Sequence, residues 1–147
     1  MKLAFLTPGT GNYYCGVCMR DNSLAKHLIS LGHEVSMLPT YLPHFLDEEP
    51  VSGEEPIFFG GINVYLQHKF SLFRHTPSWI DKAFDNPWLL RKAASRSGMT
   101  SSKDLGEITL STFKGEDGPL AKEVSKVLDW FKKHGSPDVL FLSTIML

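Results

Sequence analysis

The sequence predicts an α/β fold with a doubly wound, mainly parallel sheet, interrupted by a β-hairpin and a helical excursion. Three observations carry this. A short continuous apolar run, Leu3 to Leu6, opens the chain. A glycine-rich stretch, Thr7 to Arg20, leads from it into a helix-period segment. A second strand-like run, Glu34 to Leu38, follows Gly32, so strand, turn, helix and strand come in the order of a parallel βαβ unit.

Each element has its own signal. Leu3 to Leu6 lacks alternation, as expected of a strand buried on both faces. Asp21, Asn22 or Ser23 could cap the following helix, or it begins earlier, near Cys15 or Gly16. Leu24, Leu28 and Leu31 recur at helical spacing and are expected to face the sheet, with Ala25 beside them. Gly32 is the helix stop, since φ > 0 is cheap only for glycine. Pro39 and Pro43 are expected to end the second strand, and Asp47 to Pro56 reads as a solvated acidic connection. Gly60-Gly61, between Ile57-Phe58-Phe59 and Ile62 to Leu66, suits the tight turn of a hairpin, one strand of which should extend the sheet.

From Thr76 the signals turn helical. Thr76-Pro77 and Asn86-Pro87 each place a capping side chain before a proline at the first helical position. One helix is expected through Leu89, Leu90, Ala93 and Ala94 to Gly98, and another from Ser101 or Ser102 to Gly115. The last begins at Pro119 and carries Leu120, Val124, Val127, Leu128 and Phe131 on one stripe. It closes with Lys132, Lys133 and His134, which suit the negative end of the helix dipole, before Gly135. Asp138 to Ser143 is the final strand. Trp79, Trp88 and Trp130 are expected in or near the core.

At 147 residues the chain is one domain with room for a real core. Its formal net charge of −1 gives no reason to propose nucleic acid as a partner. No apolar run approaches the ~20 residues of a membrane span, and the short Leu3–Leu6 stretch is no signal peptide, so the two cysteines are expected in a reducing cytosol. The chain ends S-T-I-M-L directly after an apolar run, and the expectation is that it is the front part of a longer protein. Arg74, Arg91, Lys92, Arg96 and Lys103 read first as a solvated helix face, with an anionic acceptor or a membrane surface as the alternative.

Four chemistries compete for Thr7 to Arg20. Gly9-Thr10-Gly11 begins a dinucleotide fingerprint, but Tyr14 stands at its third glycine, and Leu38-Pro39-Thr40 offers no ribose-binding acid. Gly11 and Gly16 have P-loop spacing, but Val17-Cys18 replaces the Lys-Ser/Thr pair. Cys15-x-x-Cys18 has redox spacing; the favoured alternative is two small side chains where the loop enters the helix, with ordinary thiols. As a metal site it lacks a second ligand pair. Anion and sugar binding uses the most residues. The loop amides and helix N-terminus attract phosphate, Tyr13 and Tyr14 could stack on a sugar, and Arg20 could pair with a phosphate or carboxylate.

The stretch Leu24 to Pro39, L-A-K-H-L-I-S-L-G-H-E-V-S-M-L-P, resembles the L-A-x-x-L-x-x-x-G-H-E-V-x-V-L-x-P segment of family 4 glycosyltransferases, retaining enzymes of the GT-B fold. The Gly60-Gly61 segment with Val64-Tyr65, and Pro137-Asp138-Val139-Leu140, are similar to that family's hairpin and P-D-V strand. Residues 67–118 match none of its general motifs. The family's Gly-Gly loop corresponds to Cys15-Gly16-Val17, where only the second glycine is kept, and the histidine that many members carry after the P-D-V strand is absent from Phe141-Leu142-Ser143-Thr144.

The resemblance implies a Rossmann-like domain over residues 1–147, the acceptor-side half of a two-domain enzyme. That enzyme would transfer a sugar from a nucleotide sugar to an acceptor hydroxyl. The half alone would be inactive, with the donor, a UDP- or GDP-sugar, held mainly by a missing C-terminal domain and no cofactor or metal of its own. The candidate acceptor- and phosphate-binding loop is Gly11, Asn12, Tyr13, Tyr14, Cys15, Gly16 and Arg20; no catalytic residue is assigned. The acceptor would be a small molecule, a glycan or a lipid-linked acceptor, and the location cytoplasmic, with peripheral contact at the inner membrane face left open. A thiol redox domain using Cys15 and Cys18, and a non-enzymatic binding module, stand as alternatives.

Overall fold

A computed structural model describes residues 1–51, 53, 56–94 and 102–143. The expected helix stop at Gly98, the start at Ser101, Arg96 and the segment from Thr144 to Leu147 lie outside these residues. So does the side chain of Lys103.

The protein is α/β, and the described residues form a three-stranded, all-parallel sheet in the order β2-β1-β3. β1 (Lys2–Pro8) is central, β2 (Glu34–Thr40) lies on one side and β3 (Val139–Leu142) on the other. Phe5 pairs with Met37 across one ladder and with Phe141 across the other. A continuous apolar run suits β1 because both of its faces are covered. Phe5 and Met37 face α1 (Gly16–Ser30) through Ala25, whereas Ala4, Leu6 and Leu38 face α6 (Ala121–His134) through Val127 and Phe131. β3 is exposed along its whole length.

The buried stripe of α1 differs from the expected one. Cys18, Asp21, Asn22 and Ala25 are buried; Leu24 and Leu31 are exposed, and only Leu28 packs on the Phe5 cluster. Ala25 permits close approach to the sheet, and the two polar residues have partners. Asn22 donates to the Glu49 carbonyl at 3.1 Å and accepts from Val51 N–H at 2.8 Å, which pins the acidic connection. Gly32, at φ 86°, ends the helix as expected: its N–H reaches Ile29 and that of His33 reaches Leu28.

β2 continues through Pro39. The Pro39 carbonyl accepts from Phe58 N–H at 2.9 Å, so the proline nitrogen also points away from β1, toward an edge where no ladder donor is required. The hairpin at Gly60-Gly61 is absent. Phe58 makes a single parallel bridge to Thr40, and residues Gly61–Lys69 form a helix, α2. Gly60 keeps a negative φ of −47°, incompatible with a primed turn. The buried face of α2 is Asn63, Val64 and Gln67, a helical rather than an alternating pattern. Both amides find partners across the core: Asn63 in Asp81 and Asp85, Gln67 in Glu123.

Ser71–His75 is a 3-10 turn, followed by α3 (Ser78–Phe84), α4 (Pro87–Ala94) and α5 (Ser102–Phe113). Asn86 caps α4 through Trp88 N–H at 2.9 Å, as its sequence predicts. At α3 Pro77 itself takes the cap position, and Thr76 turns to Asp81. Trp79 and Trp88 are 70% and 67% exposed, against expectation; Lys92 Nζ lies 4.9 Å from the Trp88 ring centre. Trp130 alone borders the core, edge-on to Phe58. On α6 Leu128 is exposed and Glu123 is buried in its stead, bonded to Gln67 and Lys126.

Candidate functional site

The strand order reverses at β1: the chain moves to one side for β2 and returns to the other for β3. Open parallel sheets bind ligands outside the carboxyl ends of the strands at such a point. Here that crevice is bordered by Thr7, Ser143, the start of α1 and the loop from Gly9 to Cys15.

The loop is held from below. Gly9 donates to the Thr40 carbonyl at 2.9 Å and Gly11 to that of Pro43 at 3.0 Å. A Cβ on Gly9 would stand 1.6 Å from the Leu42 carbonyl oxygen, so this approach requires glycine. Gly11, at φ 72°, turns the chain, and Thr10 Oγ1 donates to the Tyr13 carbonyl. Asn12 Nδ2 reaches the Arg91 carbonyl at 3.3 Å and ties the loop to α4. Tyr13 and Tyr14 are exposed, Tyr14 tilted against Phe45 with ring centres 4.8 Å apart.

Cys15 is the N-cap residue of α1, in extended conformation, and Gly16 opens the helix with nothing within 4 Å of a Cβ built on it. The Cβ side of Gly16, at the start of the helix, is therefore open. Cys18 is buried and its Sγ donates to the Pro8 carbonyl at 2.7 Å. Cys15 Sγ makes no full capping hydrogen bond, yet the amides of Cys18 and Val17 point toward it. Burial raises the Cys15 thiol, but those amides and the Cys18 thiol together hold it below its ordinary value. Cys18 is pushed up to about 12, first by burial and then by Cys15 and Asp21. The two thiols are therefore unequal.

Arg20 does not stand alone in the crevice. Its Nε and Nη2 bond Asp21 Oδ1 at 2.9 and 2.8 Å, while its side chain stays 58% exposed. Asp21 is fully buried and its other oxygen accepts from Ser143 Oγ, which joins α1 to the end of β3. Thr7 Oγ1 meets His44 Nε2 at 2.6 Å, and Thr40 Oγ1 donates to the Thr7 carbonyl. Burial lowers the pKa of His44, opposed by the Thr7 backbone and Asp21.

Of the predicted residues, Tyr13, Tyr14, Cys15 and Gly16 line the open side. Gly11 and Asn12 shape the loop, and Arg20 lies a turn into α1. Thr7, Asp21, His44 and Ser143 were missed. Position was the available signal for two of them, since Thr7 and Ser143 directly follow the apolar runs that form β1 and β3.

A separate open cleft runs between the segment around Phe58, α3 and α6. Its inner charges serve one another: Lys122 pairs with Asp81, and Lys126 with Asp81, Asp85 and Glu123. Among the described residues no group of three or more His, Cys, Asp or Glu is placed to hold a metal ion, and no helix is long and apolar enough to cross a membrane. No protein-family model, no curated protein and no solved structure matches the chain.

Proposed function

We propose that this chain is the Rossmann-like, acceptor-side domain of a GT-B glycosyltransferase. The whole enzyme would move a sugar from a UDP- or GDP-sugar to an acceptor hydroxyl. The observation that carries the reading is the start of α1 at Gly16, open on its Cβ side and set beside the crevice where the strand order reverses. The amides of the first turn of α1 and the helix dipole suit the charge that develops on a leaving diphosphate. Tyr13 and Tyr14 offer aromatic faces for a sugar ring at the same mouth. The exposed strand β3 suits burial against further chain, such as a donor-binding domain.

The division of labour is tested by calorimetry. The isolated chain is expected to bind UDP- and GDP-sugars no tighter than millimolar. Micromolar binding, roughly −8 kcal/mol, would overturn the assignment. Transfer itself is tested with Gly16→Val in the full encoded protein. Removing one preorganised donor costs on the order of 10²–10³ in rate. A variant that transfers at the parent rate removes Gly16 from the site.

A further inference from the structure

We infer that Cys15 and Cys18 form a dithiol site that exchanges with low-molecular-weight disulfides and closes an intramolecular Cys15–Cys18 bond at the start of α1. The inference is independent of the transferase reading.

Its basis is geometric. The two residues occupy the cap and third positions of one helix, which share a face. The chain has no other cysteine, so an intramolecular bond has one possible pairing. Cys15 is partly exposed and Cys18 buried, which separates an attacking sulfur from a resolving one. The Cβ side of the adjacent Gly16 is open as well. Cys15 lies outside helical φ/ψ, at −121° and 120°, so its side chain can close onto Cys18 without unwinding the helix. The unequal thiols fit the same roles, since the more acidic sulfur is the one within reach.

The chemistry balances with glutathione disulfide as oxidant. The Cys15 thiolate attacks one of its sulfurs, forms a mixed disulfide and releases one glutathione thiolate, which is protonated from solvent. Loss of the Cys15 charge removes one of the influences that hold the Cys18 thiol up. Cys18 then gives its proton to solvent, attacks the Cys15 sulfur and expels the second glutathione thiolate. Two protein thiols are oxidised by two electrons, and one glutathione disulfide is reduced to two thiols.

The experiment incubates the native chain with glutathione disulfide at neutral pH, followed by thiol titration and intact mass. The wild type is expected to lose both titratable thiols and the mass of two hydrogens, and to regain both with dithiothreitol. Cys18→Ser and Cys18→Ala should each trap a glutathione adduct, and Cys15→Ser should stay unmodified while folded. Three results would overturn the inference: both wild-type thiols persisting until the chain is unfolded, an adduct that never closes, or disulfide-linked dimers in place of the internal bond. The wild-type measurement stands even if a Cys18 variant fails to fold.

Discussion

A Cβ on Gly60 would stand 1.9 Å from Oδ1 of Asp85, so the carboxylate occupies the volume that any other residue would claim at position 60. The carboxylate is not free to step aside. Oδ1 accepts from Asn63 Nδ2 at 2.7 Å and Oδ2 faces Lys126 Nζ at 3.5 Å. Gly60→Ala is therefore expected to destabilise by about 1–3 kcal/mol, the usual range for overpacking. The same change in an Asp85→Ala background should cost clearly less. A double-mutant cycle by urea denaturation measures the coupling, and additive costs would contradict the contact.

Asp85 also titrates in a useful range. Burial first, then Glu123, pushes its pKa up to about 6 against the opposing pull of Lys126. The folded value lies above the ordinary 3.8, so the folded state holds the proton more tightly. This contribution is complete below about pH 3.8 and is lost as pH rises through about 6. With the side chain only 15% exposed, the rise from 3.8 to about 6 corresponds to about 3 kcal/mol at most. Asp85→Asn keeps the acceptor for Asn63 and abolishes the titration. Relative to wild type, the variant should gain stability toward pH 8 and lose that gain toward pH 4. Parallel stability curves would refute it.

These polar contacts explain what the sequence could and could not disclose. β1, α1, β2, the start of α4, α6 and β3 were legible because apolar runs, Gly32, Gly135 and the Asn86 cap act through neighbours in the chain. The α2 segment was misread because Ile62 to Leu66 contains apolar residues that alternate as well in a strand as in a helix. The choice is made by Asn63 and Gln67, whose partners Asp85 and Glu123 lie 22 and 56 residues away. The stripe of α1 was misread for the same reason, since Asp21 is buried with Ser143, 122 residues away. At the candidate site the loop was legible from its glycines and tyrosines, whereas the Thr7–His44 contact joins two residues that no local pattern links.

Two glycines of the loop should behave oppositely. Gly9→Ala places a methyl 1.6 Å from the backbone oxygen of Leu42, which cannot rotate away. It should lower the melting temperature markedly, with a loss in the few-kcal/mol range typical of severe core changes. Gly16→Val meets open space and sits at a helix start, so its melting temperature should stay within about a degree or two of wild type. Thermal unfolding of both variants side by side checks this; a Gly16→Val protein that melts early would make Gly16 a scaffold residue.

His44 gives a pH dependence of the opposite sign to Asp85. Its folded pKa lies below the ordinary 6.5, chiefly through burial. The neutral ring is thus favoured by folding, and its contribution is present above pH 6.5 and lost as pH falls through the lowered folded value. The two windows overlap, so the measurement belongs in an Asp85→Asn background. There, stability should decline on acidification below pH 6.5, and adding His44→Gln should flatten that decline. An unchanged slope would show that His44 is not the titrating group.

The last prediction links Asp21 to the thiols. Its buried carboxylate raises the pKa of both Cys15 and Cys18, so it works against the amides that favour the Cys15 thiolate. Asp21→Asn removes the charge and keeps an oxygen for Ser143 Oγ. Arg20 loses its ion pair but is largely solvated already, so the stability loss should be nearer 1 kcal/mol than the 3–5 kcal/mol of a stranded buried charge. With Asp21 neutral, the Cys15 thiol should titrate at lower pH. Alkylation of Cys15 by iodoacetamide should then be half-maximal at a lower pH than in wild type, read by mass spectrometry on the folded chain. A merely structural role for Asp21 predicts the reverse. Loosening the start of α1 would weaken the amide contacts, return Cys15 toward its ordinary value and expose Cys18 to the reagent. The direction of the shift, together with whether Cys18 remains protected, decides between the two.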